Sequence, residues 1–209
     1  TFGIALGRRC LPFHDYLDEL ITNRTEVDFR SSIWLPAMDR VLDYAGSRVS
    51  ECPPGYNIER ETRFNDTAIV LDWVSKNNGK LPMPLRLLAK GLRLTDGNPS
   101  QADRLFPNRQ YLGPYDAMLA PLKGNADTIL KKRAKNKTPP EGEFAIPLAD
   151  ASLFINALRD LLLKTGYYPD RPIGLRPGIG ELGSLSAAQD SPCIWVSMFI
   201  YEDNPLMDY

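Results

Sequence analysis

The chain has 209 residues and a formal charge of -1, so no global field draws it to nucleic acid or anionic lipid. At 43% hydrophobic and 24% charged it has an ordinary globular composition, with length for one large domain or two small ones. A single histidine, His14, excludes a His-rich metal centre, and no G-x-S-x-G accompanies it for Ser-His-Asp chemistry.

Residues 1–11 read as a strand with Phe2, Ile4 and Leu6 on one face, stopped by Pro12. The segment lacks the basic start and cleavage pattern of a signal peptide. It reads as a strand entered midway, so the chain is expected to be part of a longer one. The apolar residues of 13–23 fall at 13, 16, 17, 20 and 21, which is helical spacing. From Val27 to Leu35, Val27, Phe29, Ser31 and Ile33 alternate with Asp28, Arg30, Ser32 and Trp34, the pattern of a strand ended by Pro36. Met38, Val41, Leu42 and Ala45 then predict a short helix.

Residues 46–65 read as a loop carrying the charged run Glu59 to Arg63. Asp66 is placed to cap a helix whose stripe is Ile69, Val70, Trp73 and Val74, and a second helix is expected over 85–92. Residues 95–114 read as a long loop, of the kind that serves as a lid or conceals an element. Residues 123–137 are basic, with no interleaved aromatic residue for stacking on bases; they are a solvated loop or a docking segment for a protein partner.

Beyond Pro140 the pattern sharpens. Glu141 to Pro147 alternates Phe144 and Ile146 against Glu143 and Ala145. Asp150 is placed to cap a helix with the stripe Phe154, Ala157, Leu158, Leu161 and Leu162, closed at Gly166. Residues 172–176 form a short strand with Ile173 and Leu175 on the packed face and Gly174 and Arg176 on the other. In the closing strand, 193–201, Ile194, Val196, Met198 and Ile200 oppose Cys193, Trp195, Ser197, Phe199 and Tyr201. Helices that follow strands on one face argue for an α+β fold with an antiparallel sheet.

No run of about 18 apolar residues exists to span a membrane as a helix. Cys10, Cys52 and Cys193 have no metal-like spacing and allow one pair plus a free thiol. Three sequons, at Asn23, Asn65 and Asn136, are compatible with secretion; mitochondrial and secretory compartments both stay open. Gly178, Gly180 and Gly183 match G-x-G-x-x-G, but no helix follows to receive a pyrophosphate.

Arg176 is the first candidate for chemistry. A guanidinium at a strand end offers fixed, directional donors for a hydroxyl, a carboxylate or a developing oxyanion. Gly174 on the same face permits close approach, and Trp195 and Ser197 project from a neighbouring strand to complete a small polar patch. The structural alternative is an Arg176 paired with Glu143 or Glu181.

Three stretches carry a family resemblance. Leu6 to Phe13 with Val27 to Arg40, then Glu143 to Leu162, then Pro172 to Arg176 with Leu185-Ser186 and the closing strand are, in that order, similar to the substrate domain of sugar-1,4-lactone oxidases and dehydrogenases. These gulonolactone, arabinonolactone and galactonolactone enzymes are FAD-dependent members of the vanillyl-alcohol-oxidase superfamily. The resemblance covers about half of the chain. It implies a substrate (cap) domain over residues 1–209, with FAD held mainly by a preceding domain and a basic flavin-contacting segment further on, neither within this sequence.

The resemblance further implies a site in which Arg176 supports negative charge on the substrate oxygen while the flavin takes a hydride from the carbon bearing the hydroxyl. Trp195 and Ser197 would line the substrate pocket, and Glu143 lies within a family motif. At position 174 the family carries a glutamate that orients the hydroxyl, where this chain has Gly174. Two functions therefore stay open: oxidation of a sugar lactone or related polyol, or a non-catalytic family member serving as a structural subunit that docks through 123–137 or 95–114.

Overall fold

The computed structural model describes residues 3–22, 27–50, 106–114, 141–169, 171–178, 191–200 and 205–208, with 83, 84 and 87 alone between them. Among the described residues seven strands make one sheet: β1 (Gly3–Pro12), β2 (Phe29–Leu35), β3 (Arg40–Val49), β4 (Arg109–Pro114), β5 (Glu141–Pro147), β6 (Ile173–Gly178) and β7 (Cys193–Phe199). Their order is β4-β1-β3-β2-β6-β7-β5, and every neighbouring pair is antiparallel. Among the described residues two helices, α1 (Phe13–Thr22) and α2 (Leu148–Thr165), pack on one face. The fold class is α+β, as the strand-helix order predicts.

The main core lies between the helices and that face. Phe13, Tyr16, Leu17 and Leu20 of α1 and Ala151, Ile155 and Leu162 of α2 meet Trp34, Val41, Ile173, Leu175, Ile194 and Val196 of the sheet. The packed faces expected for β6 and β7 are thus the observed ones. Helix α2 is rotated from its expected stripe. Ala151 and Ile155 are buried, Leu158 and Phe154 pack at the margin, and Ala157 is exposed. The buried positions 151, 155, 158 and 162 are themselves helically spaced. Helix α2 begins at Leu148 rather than after Asp150, so Asp150 falls in its first turn. No side chain caps the helix; the Leu148 N–H instead donates to the Pro192 carbonyl at 2.9 Å, so the segment leading into β7 satisfies that end. Gly166 closes it at φ 68°, its N–H donating to Leu162 O, the left-handed cap that glycine adopts without strain.

Two other expectations are corrected. Residues 40–49 are strand β3, not a helix, preceded by a 3-10 turn at Pro36–Met38. The turn ends at Asp39 in the left-handed region (φ 52°), and the chain reverses there so that Leu35 pairs with Arg40. Both faces of β3 are covered: Val41 enters the main core, while Leu42 joins Cys10, Leu35 and Phe106 in a smaller cluster on the second face. A strand buried on both sides loses alternation and imitates a short helix. Residues 109–114, within the expected long loop, form edge strand β4 against β1; Pro114 is tolerated because it ends an edge strand.

A buried charge network fastens α1 to the sheet. The Asp43 carboxylate is fully buried and accepts from Arg9 Nη2 at 2.8 Å, Arg30 Nε and Nη2 at 2.9 and 3.0 Å, and Ser32 Oγ at 2.8 Å. Glu19 of α1 closes it through Arg9 at 2.6 Å, and that bond, with Asp43, raises the Arg9 pKa further above the ordinary arginine range. Four donors on one carboxylate supply the compensation a buried anion requires. Arg159 performs a related task for α2, gripping both Asp39 oxygens at 2.8 and 2.7 Å while its guanidinium lies over the Phe13 ring.

Candidate functional site

The second face of β5, β6 and β7 carries no described helix. Antiparallel register sets its side chains in rows, because directly opposed residues share a face. One row is Glu143 of β5, Ser197 of β7 and Gly174 of β6; the next is Ala145, Trp195 and Arg176. The five candidate residues of the sequence, Arg176, Gly174, Trp195, Ser197 and Glu143, therefore occupy adjacent positions on one face. The alternation of each strand predicts the face; only the register brings the strands together.

Within this group Arg176 Nη2 donates to Glu143 Oε1, and Ser197 Oγ donates to the same oxygen at 2.8 Å. Glu143 is one of the two partners that the sequence offers Arg176. The other, Glu181, lies outside the described residues. The pair is not sequestered: the side chains of Arg176 and Glu143 are 51% and 39% exposed. An exposed pair of this kind adds little to folding, about 0–1 kcal/mol. Stability alone is thus a weak reason for three polar groups to converge here.

The glycines of β6 shape the surface around the pair. A Cβ on Gly174 would lie 3.3 Å from Ser197 Cβ and 3.6 Å from its Oγ, so the absent side chain is what lets Ser197 sit against β6 while it bonds Glu143. A Cβ on Gly178 would meet Trp195 Nε1 at 2.9 Å and Cys193 Sγ at 3.1 Å. The Trp195 indole therefore leans along the sheet over Gly178. It walls the Arg176 end of the patch.

Two neighbours had no sequence signal. Ile33 of β2 pairs with Gly174 and extends the row with an apolar side chain. The Arg171 guanidinium lies 5.3 Å from the Phe199 ring centroid, two residues along β7 from Ser197 on the same face, so a second cation flanks the site. Arg171 precedes β6 in irregular chain, where no periodicity singles it out. Cys10 and Cys193 are buried thiols. The 123–137 segment, Cys52, the helices expected over 66–92 and the glycines beyond Gly178 lie, but for positions 83, 84 and 87, outside the described residues. Among the described residues no group of three metal-ligating side chains gathers, and no helix is long and apolar enough to cross a membrane.

No protein-family model matches the chain, and no curated protein does. Among solved structures it is similar to a solvent-stable cholesterol oxidase, with a TM-score of 0.41 and 11% identity, over 97% of this chain and 44% of that one. The chain thus spans less than half the length of that structure.

Proposed function

We propose that this chain supplies the substrate side of an FAD-dependent oxidoreductase acting on a CH–OH group, with a sugar lactone or related polyol as substrate. The reading places the dinucleotide on a domain outside this chain. The single observation that carries it is the convergence of Arg176, Glu143 and Ser197 on the open face of β5, β6 and β7. Support also comes from the order of the sequence motifs, which resembles that of the sugar-lactone oxidoreductases.

The donor set fits the substrate side of a flavin rather than its phosphates. It offers a carboxylate beside a guanidinium, an indole edge and open space at Gly174. The flavin, when bound, supplies the acceptor for a hydride. The chain's own residues orient the substrate and manage charge. Arg176 Nη1 and Nε keep donors that Glu143 does not use, and these stabilise negative charge growing on a substrate oxygen. Trp195 and Ile33 bound the patch with apolar surface, which removes water from one side of the reacting carbon and strengthens that interaction.

The experiment is flavin reduction in the full-length, flavin-loaded protein under anaerobic conditions. Loss of a charge-stabilising donor costs about 100-fold or more in rate, so Arg176→Ala is expected to slow substrate-dependent reduction by that factor. Unchanged turnover in Arg176→Ala contradicts the proposal.

A further inference from the structure

We infer that Glu143 provides, from β5, the substrate-facing carboxylate of this site, and that its pairing with Arg176 selects uncharged hydroxylated substrates over hydroxy-acid anions. The inference rests on the substrate-site reading above and specifies its substrate class.

The argument begins with the unused atoms. Glu143 Oε1 accepts both bonds, from Arg176 and from Ser197. Oε2 makes no hydrogen bond among the described residues, and the side chain is 39% exposed. Arg176 commits Nη2 alone. The site thus presents an acceptor at Oε2 beside donors at Nη1 and Nε. A hydroxyl is the group that meets both, since its oxygen accepts and its proton donates.

A carboxylate substrate meets the reverse situation. Alone, a guanidinium is the preferred fork for a carboxylate, through two parallel charge-assisted bonds. Here one fork atom is taken, and an incoming anion lies beside the negative charge of Glu143. Pair and substrate together then sum to one negative charge; the exposed Arg171 guanidinium lies over the Phe199 ring, makes no bond to the pair, and offsets that charge only through solvent. Ser197 holds Glu143 in place with a 2.8 Å bond, so the carboxylate does not swing aside without losing that donor. Gly174 completes the arrangement. A Cβ there would press within 3.3 Å of Ser197 Cβ, so the same hollow that lacks a carboxylate of its own is what seats the serine that fixes Glu143.

The probes are galactono-1,4-lactone and its open-chain anion galactonate, titrated calorimetrically into the full-length, flavin-loaded protein and into its Glu143→Gln variant at neutral pH. The wild type is expected to bind the lactone at least about tenfold more tightly than galactonate, a difference of about 1.4 kcal/mol. Glu143→Gln keeps the shape, frees the guanidinium and is expected to shift the ratio by about tenfold or more toward galactonate. A purely structural Glu143 would weaken both probes together. Equal or tighter wild-type binding of galactonate, binding of neither probe, or an unchanged ratio in the variant overturns the inference. Should Glu143→Gln fail to fold, Glu143→Ala at the same half-exposed edge position carries the same expectation. Flavin reduction separates the two levels. Reduction by galactonate but not by the lactone retires the substrate class and keeps the alcohol-oxidising reading. Selective lactone binding with no reduction by any alcohol does the opposite.

Discussion

Placing a glutamate at position 174 distinguishes two accounts of this site. If the site lacks a carboxylate, Gly174→Glu supplies one on the same strand as Arg176, two residues away, and activity rises. If Glu143 already provides it, the substitution is damaging. The Cβ alone arrives 3.3 Å from Ser197 Cβ and 3.6 Å from Oγ, closer than comfortable packing, and Ser197 must yield by a few tenths of an ångström. Its 2.8 Å bond to Glu143 is the interaction placed to give. The added charge then sits beside Glu143 with one guanidinium between two carboxylates. Like charges about 4 Å apart cost about 1 kcal/mol in water and about 4 kcal/mol near a protein surface; with Arg176 half exposed, about 1–2 kcal/mol is the appropriate part of that range. Turnover of a lactone is therefore expected to fall by about tenfold, with little change in melting temperature because the site is open. Steady-state kcat/KM and a thermal melt measure both. A rise in kcat/KM refutes the reasoning, since it shows the carboxylate to be missing rather than relocated.

Two predictions concern the scaffold beneath α1. Asp43→Ala leaves Arg30, whose side chain is 4% exposed, with only the longer 3.5 Å contact to Glu19, and breaking a buried pair in this way costs about 3 kcal/mol, the low end of the range for such pairs; denaturant unfolding measures it, and a loss under 1 kcal/mol contradicts the network's role. Tyr16 is buried, its hydroxyl makes no hydrogen bond among the described residues, and burial pushes its pKa above the ordinary tyrosine range. A raised folded-state value favours the protonated form, so the contribution to stability is complete below the unfolded value of about 10. It is lost as pH rises through the folded value. Tyr16→Phe is expected to unfold less steeply with pH above about 10 than the wild type; parallel alkaline profiles contradict the assignment.

The half of the fold that positions the site was legible where one face is packed and the other open. In β5, β6 and β7 the alternation sorts Ile146 from Glu143, Leu175 from Arg176 and Val196 from Trp195, and register then aligns the rows. Legibility failed where both faces are buried. Val41 and Leu42 are each inaccessible, so β3 has no polar face to alternate with. Strand β2 misleads differently: Arg30 and Ser32 look like solvent-facing positions, yet they lie beneath α1, satisfied by Asp43 of β3. The start of α2 was misplaced because Leu148 takes its N-terminal partner from Pro192, 44 residues on, a contact no local cap signal contains. The Glu143–Ser197–Arg176 convergence depends on non-local pairing in the same way.

The most direct measurement is anaerobic flavin reduction by galactono-1,4-lactone and by galactitol in the full-length protein, comparing wild type with Arg176→Ala. Reduction by at least one of these uncharged substrates is expected, slowed about 100-fold or more when the guanidinium is removed. No reduction by either, or equal rates with and without Arg176, contradicts it.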